Sequence, residues 1–389
     1  MAKVLVVDTN FSSGPILEFL RSLGHTVYCC GGNPQDYLAK NDPGYIQLDY
    51  SDAEALLALT RELHVDHLVP GCNDRSYLSC ALVNAQQAFQ GIDTLEATLA
   101  LSNKATFRQL ALREGLSTPA LHTEDAVPAH DSVIVKPVDA FSGLGITVVR
   151  AGDAAGLQQA VQQAKAVSKT GNCVIETHVQ GQLHSHSAFI QQGRVVQDFV
   201  VIEHGSANPF VVDTSHLAID FPNTTLKQLR AEVEHMAQRL SLTDGLVHGQ
   251  FLLTEQGFAW VEMTRRCPGD LYSQLIELST AYPYAASYAS PFVGLKAASM
   301  PGGDARWILR HTLTLPKGAV MAHLDFKRPL MVTRWVPLAV SGDAIAPSPK
   351  SRIAILFAQA ASSSELLDLS QAAQQRQLYD IHPARPTCQ

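Results

Sequence analysis

The hydrophobic pattern changes character several times along the chain. Lys3 to Asp8 (KVLVVD), His25 to Cys30 (HTVYCC) and Asp66 to Gly71 (DHLVPG) are short, β-prone runs. Runs of this kind suit strands buried on both faces. Between them lie stretches with helical spacing. ILEFLRSLG has Pro15 in its first turn and stops at Gly24, and Ala53 to Leu63 (AEALLALTREL) follows the second strand. Strands and helices in alternation predict a doubly wound parallel sheet, an N-terminal Rossmann-like unit over residues 1–95.

Beyond it the pattern shifts. Asn103 to Gly115 (NKATFRQLALREG) reads as one exposed helix stopped by glycine, a linker within residues 96–120. From Ser132 to Val201, strands with glycine turns surround one Ala/Gln-rich helix, Ala154 to Ser168, which predicts a small α+β lid over 121–200. Residues 201–300 hold a helix, Leu226 to Leu240, and the strands HGQFLL and FAWVEM, an antiparallel-sheet unit. The remainder, 301–389, carries strand-like runs (ARWILRHTLTL, RIAILFA) with turns at Lys317-Gly318 and Gly342-Asp343, and reads as a β-rich C-terminal cap.

Composition narrows the function classes. With 46% hydrophobic and 17% charged residues the chain is a folded globular protein, not a disordered one. The net charge of −7, without a basic patch, argues against nucleic acid as a partner. No apolar run reaches the roughly 18 residues of a membrane span, and MAKVLVVD enters a strand without signal-peptide character. The seven cysteines are odd in number and form no CxxC pair, which points to reduced thiols in a cytoplasmic protein.

Four segments could carry chemistry. In Val133 to Val149 (VIVKPVDAFSGLGITVV) a strand delivers Lys136 to a loop with Ser142, Gly143 and Gly145, and a second strand follows. Glycine N–H groups in such a hairpin can wrap phosphate oxygens, with the lysine as a point charge. SGLG alone fits an ordinary glycine hairpin equally well. No GK[ST] follows, so it is not a Walker A loop, and it does not sit on a strand-to-helix turn as a dinucleotide fingerprint would. Lys104, on the linker helix, could reach the same polyphosphate or simply be solvated. In Cys173 to Gln182 (CVIETHVQGQ) a buried strand ends in Glu176, a carboxylate suited to an adenine amino group or a ribose hydroxyl, or else a surface acid. In Gly245 to Asp270 two adjacent strands place Gln250 and Glu262 where both could face one metal, and Mg²⁺ prefers such oxygen ligands. Arg266 could neutralise charge on a transferring phosphoryl group.

Weaker candidates remain. His184 and His186 share a strand face and could bind a transition metal, line a pocket or meet solvent. Asn73, Asp74 and Arg75 follow a parallel strand at its ligand-binding end, but could equally cap the next helix. Arg310, beside His311, could fork a substrate carboxylate. Cys267 lies next to arginines that could lower its pKa, but reads as structural.

Taken in order, NKATFRQLALREGLSTPA, VIVKPVDAFSGLGITVV, VIETHVQG and VEMTRRCPGD resemble the ATP-grasp superfamily of carboxylate–amine ligases over residues 1–300. The resemblance implies ATP and Mg²⁺ (with Mn²⁺ as an alternative ion), and an ADP-forming reaction through an acylphosphate that an amine then attacks. It implies that Lys104 and Lys136 hold phosphates, that Ser142, Gly143 and Gly145 form the flap, and that Glu176 and Val179 sit at the adenine. Glu262 would bind metal, Arg266 and Lys136 would serve catalysis, and a second copy of the chain is a partner by the family's habit. Three positions depart from the pattern. The first metal acid falls at the neutral Gln250, the metal asparagine at Thr264, and the ribose glutamate at Leu183. Either fewer charges hold the metal, with help from Glu255, Glu203 or substrate, or turnover has been lost and a nucleotide-binding interaction module remains. The PGD ending and β-rich tail are similar to members acting on amino acids or related small metabolites; a sugar-acid or cell-surface amide ligase is the alternative.

Overall fold

The computed structural model describes residues 1–140 and 143–384, so Ser142 lies outside the described residues. The N-terminal unit is a parallel sheet of β1 (Lys3–Val7), β2 (Thr26–Gly31), β3 (Tyr45–Gln47) and β4 (His67–Pro70) in the order β3-β2-β1-β4. Val4 to Val7 have no solvent exposure, as unalternating strands require. Helices α1 (Gly14–Ser22), α2 (Tyr37–Asn41), α3 (Ala53–Leu63) and α4 (Asp74–Asn84) connect these strands and follow the last of them. The end of α1 follows from its sequence: Pro15 enters the first turn, and Gly24, at φ +80°, takes the left-handed position beyond the last turn. At the carboxyl ends of β1 and β4 the buried Asp8 accepts from Ser13 Oγ (2.8 Å) and the Cys72 N–H (3.0 Å), which locks the two loops facing the cleft.

Two helices follow, α5 (Leu95–Ser102) and α6 (Lys104–Arg113), where one exposed helix is predicted. Asn103 separates them, its side chain accepting from the Ala105 and Thr106 N–H groups as an N-cap. The second helix is not exposed: Phe107, Leu110 and Ala111 are buried in a core shared with the large sheet. The lid is a four-stranded sheet of β5 (Leu121–His122), β6 (Val133–Pro137), β7 (Thr147–Val149) and β8 (Cys173–Thr177), in the order β5-β8-β6-β7, covered by α7 (Ala154–Val167).

The lid sheet ends at Thr177, not near residue 200. The next strands, β9 (Gln182–Gln191), β10 (Arg194–His204) and β11 (Thr214–Leu217), join the large sheet, and α8 (Asn223–Arg239) packs on β9 and β10. The antiparallel hairpin β12 (Gly245–Thr254) and β13 (Gly257–Thr264) follows, then α9 (Tyr272–Thr280) and α10 (Tyr284–Ala289). The last strands are β14 (Trp307–Leu313), β15 (Ala319–Phe326), β16 (Met331–Pro337), β17 (Ala344–Ile345), β18 (Ala354–Ala360) and, after α11 (Ser363–Gln374), β19 (Tyr379–Pro383). The expected separate cap is mostly not separate. β14, β16 and β18 extend the eight-stranded sheet β13-β12-β9-β10-β11-β14-β18-β16, and only β17-β15-β19 stand apart. Strand runs read singly do not reveal which sheet they join. No helix among the described residues is long and apolar enough to cross a membrane.

Candidate active site

Strand register assembles the site. Residues directly opposite one another in neighbouring antiparallel strands share a face. Glu262 pairs with Gln250, and Gln250 with Ser185; Glu203 pairs with Ser215, and Ser215 with Arg310. A 2.6 Å hydrogen bond from Gln250 Nε2 to Glu203 Oε2 joins the two rows into one polar band across six strands. Burial pushes the Glu203 carboxyl up to about 7, and the negative charge of Asp270 adds to the effect. It is a buried acid short of positive charge, beside the position where the sequence supplies a neutral glutamine. Glu255 does not assist there. It lies in the β12–β13 turn, five residues beyond Gln250, or about 16 Å of strand.

The end of β13 meets the N-terminal unit. Arg266 donates from Nε to Asp74 Oδ1 (3.0 Å) and from Nη2 to Asp74 Oδ2 (3.1 Å), and Thr264 Oγ1 donates to Asp74 Oδ1 (2.9 Å). Burial disfavours the charge on each partner, but the fork outweighs it: the Asp74 carboxyl is held below its usual range and the Arg266 pKa is raised. Thr264 therefore belongs with the Asp74–Arg266 group and not with the Gln250–Glu262 pair. The 70–76 loop divides its roles. The Asn73 side chain accepts from the Ser76 N–H (2.9 Å) as the N-cap of α4 and donates to Tyr50 Oη (3.1 Å); Arg75 is exposed.

The lid brings the lysines in. Lys104 donates from its backbone N–H to Val138 O (3.3 Å) and from Nζ to Ala140 O (2.8 Å), so the start of α6 is stitched to the start of the flap. Gly143 and Gly145 have φ of +70° and +74°. A Cβ on Gly143 would come within 2.7 Å of Phe210, and one on Gly145 within 2.9 Å of Pro137, so glycine is required at both. Lys136 Nζ lies 2.7 Å from Glu176 Oε2, and Arg108 Nε 3.0 Å from Glu176 Oε1. Burial opposes ionisation of Glu176, but these two cations hold its carboxyl below the usual range. Each Glu176 oxygen thus meets one cation, which ties Glu176 to Lys136 and Arg108. Val179 lies half-buried in the hinge between β8 and β9.

The sequence reading misses Arg108, which also donates to Trp260 O (2.8 Å) and Val261 O (3.1 Å) and so ties linker helix, lid and large sheet together. Its buried Phe107 and Leu110 neighbours were the signal: the apolar face of that helix carries the arginine inward. Arg352 is the other residue missed. It is solvent-exposed, with its guanidinium carbon over the Phe11 ring, 5.7 Å from the centroid. Arg310 itself offers no open fork. It is fully buried, donating to Asp270 O (2.8 Å), Ser215 Oγ (2.8 Å) and Thr312 Oγ1 (3.2 Å) and pairing with Asp270 Oδ2 (2.8 Å).

The histidine pair His184 and His186 lies away from the polar band. It faces the opposite side of the sheet, where His184 stacks on Phe251 and His186 Nε2 bonds Asp198 Oδ2 at 2.9 Å. Cys267 is buried, and its thiol pKa is raised by that burial and by Cys72, despite Arg266.

A parallel-sheet unit, a small lid sheet and a large antiparallel sheet make up the ATP-grasp fold, which the chain has over nearly its full length. It is similar to the L-amino acid ligase from Bacillus licheniformis, with a TM-score of 0.78 at 15% identity, covering 99% of each chain. It is also similar to phosphoribosylglycinamide synthetase from Anaerococcus prevotii, with a TM-score of 0.76 at 14% identity, covering 98% of this chain and 100% of that one. A D-alanine–D-alanine ligase from Gloeobacter violaceus is 27% identical over 186 residues, 43% of this chain and 59% of the ligase, so the match spans less than two thirds of that enzyme. No protein-family model matches the chain.

Proposed function

We propose that the protein is an ADP-forming ligase that joins a small carboxylic acid, an amino acid or similar metabolite, to an amine. The observation that carries the reading is the polar band Glu262–Gln250–Glu203 together with the Asp74–Arg266 fork, with Lys104 at the start of α6 tied to the start of the flap and Lys136 on the strand that leads into it. ATP binds with its phosphates against the two lysines and the glycine N–H groups of the flap, and Val179 lies at the adenine. A carboxylate oxygen of the acid attacks the γ-phosphorus, and ADP leaves. The amine then attacks the acyl carbon, and inorganic phosphate leaves with the electron pair of the broken C–O bond. Arg266, fixed by Asp74, faces the charge that develops in both steps.

The donor set suits Mg²⁺. Two carboxylates and an amide oxygen are hard ligands, and Glu203 is a buried acid whose ionisation a divalent cation would favour. Glu262, Glu203 and Gln250 would hold the ion, which would supply charge neutralisation at the phosphates. Arg352 over Phe11 provides the cation for a substrate carboxylate, the role Arg310 cannot take while its donors are engaged. The neutral Gln250 favours a second reading, a module that binds ATP without turnover. The discriminating experiment measures ADP release from Mg-ATP across a panel of acids paired with amines. Release that needs a particular acid supports the ligase. Binding of ATP in a thermal-shift assay, with no ADP from any pair, supports the silent module.

A further inference from the structure

The separate sheet β17-β15-β19 carries a cluster that the ligase reading does not use. His323 on β15 lies directly opposite His382 on β19, and Asp325 follows two residues along β15, so all three side chains share one sheet face. The imidazole rings are nearly parallel, 12° apart in plane with centroids 4.3 Å apart. Both Nε2 atoms approach the same carboxylate oxygen, Asp325 Oδ2, at 3.1 Å from His382 and 3.6 Å from His323. The three donor atoms lie within 4.8 Å of one another.

We infer that this cluster is a transition-metal site, selective for Zn²⁺-like ions over Mg²⁺. A tetrahedral zinc with arms of about 2.0–2.2 Å sets its ligand atoms about 3.3 Å apart. The two observed nitrogen–oxygen separations bracket that edge, the two ring nitrogens lie within 4.8 Å of each other, and closure needs rotation of the stacked rings to aim both nitrogens at one ion. Two imidazoles and one carboxylate are the ligand types of zinc, copper and nickel, whereas magnesium takes oxygen. The side chains are 61% (His323), 64% (Asp325) and 44% (His382) exposed, which leaves an entry path and room for water as the fourth ligand. The site joins β15 to β19, so a bound ion staples these two strands together. Beside it Lys327 Nζ pairs with Asp380 Oδ1 at 2.8 Å, a salt bridge between the same two strands.

The test is equilibrium dialysis of the full chain against ZnCl₂ in the absence of ATP, with the His323→Ala/His382→Ala double variant alongside. Wild type should retain one more zinc per chain than the variant. Co²⁺ in its place should give the visible bands of a tetrahedral nitrogen–oxygen site in wild type alone. Asp325→Asn should weaken zinc binding by more than the roughly 10–100-fold that follows loss of an outer-shell partner. Melting temperatures without zinc should match among the proteins, since the altered side chains are exposed. Equal zinc retention by wild type and double variant, or no retention by wild type at micromolar free zinc, would overturn the inference.

Discussion

Arg266 and Asp74, 192 residues apart in sequence, form a two-bonded fork, Nε to Oδ1 at 3.0 Å and Nη2 to Oδ2 at 3.1 Å. The fork connects the loop after β13 to the first turn of α4, so the parallel-sheet unit holds the proposed catalytic arginine in place. Arg266→Ala should lower kcat by about 10²–10³ while ATP affinity stays near wild type, the pattern of a group that acts on developing charge. Asp74→Asn should lower kcat by a smaller factor, because a neutral amide still fixes one guanidinium nitrogen. Steady-state kinetics beside ATP titration check both, and a normal rate in Arg266→Ala would refute its role.

Lys136→Ala should fail differently. The lysine meets Glu176 at 2.7 Å and is proposed to hold ATP phosphates, so its loss should weaken ATP binding by about 10–100-fold, in line with roughly 1.5–3 kcal/mol for charge-assisted hydrogen bonds. Arg108 remains to neutralise Glu176, so the fold should survive. Calorimetric titration with ATP measures the first effect, and circular dichroism the second.

Gln250→Glu tests the polar band. A third carboxylate beside Glu203 and Glu262 repels both when no cation is present and attracts Mg²⁺ when one is. The variant should therefore melt below wild type in EDTA, yet gain more in melting temperature on adding MgCl₂. An Mg²⁺ response equal to that of wild type would place residue 250 outside the metal's reach.

Arg352→Ala should raise the KM of the carboxylate-bearing substrate at least tenfold and leave the KM of ATP unchanged. Arg352→Lys should rescue only in part, because an ammonium cannot reproduce a planar fork stacked on Phe11.

Acid should destabilise the protein early. Burial, with the Arg266 charge adding to it, holds His248 neutral down to about 3, and burial holds His204 and His311 neutral down to about 4. In the unfolded chain these rings take up protons near their ordinary pKa of about 6.5. Below that pH these three rings bind more protons unfolded than folded and lower stability as pH drops from about 6.5 toward 4, against the opposing contribution of Glu203, whose raised carboxyl favours the folded state in the same range. Each ring contributes up to about 1.4 kcal/mol per pH unit. Urea midpoints at pH 7.5 and 5.0 should differ clearly in that direction.

Much of the architecture is readable in the residues themselves. The β1 run, the α1 boundary at Gly24, the flap glycines and the Gln250–Glu262 pairing each follow from local pattern. What stays hidden depends on partners far away in sequence. Glu176 sits on a strand that could present it to a nucleotide, and only packing shows Arg108 and Lys136 taking its oxygens. Arg310 sits on a strand facing the site, but its donors close on Asp270 and Ser215. Arg352 precedes an apolar strand and carries no motif; its place beside Phe11, at the other end of the chain, is a product of the fold. Sheet membership is hidden for the same reason, since β14, β16 and β18 look like any short strands until they are paired.

Hydroxylamine trapping addresses the acylphosphate directly. Incubated with Mg-ATP, the acid substrate and hydroxylamine in place of the amine, the protein should form the hydroxamate of that acid with one ADP per hydroxamate, and Arg266→Ala should form neither. Formation of AMP and pyrophosphate instead, or ADP release that no acid stimulates, would contradict the proposed chemistry.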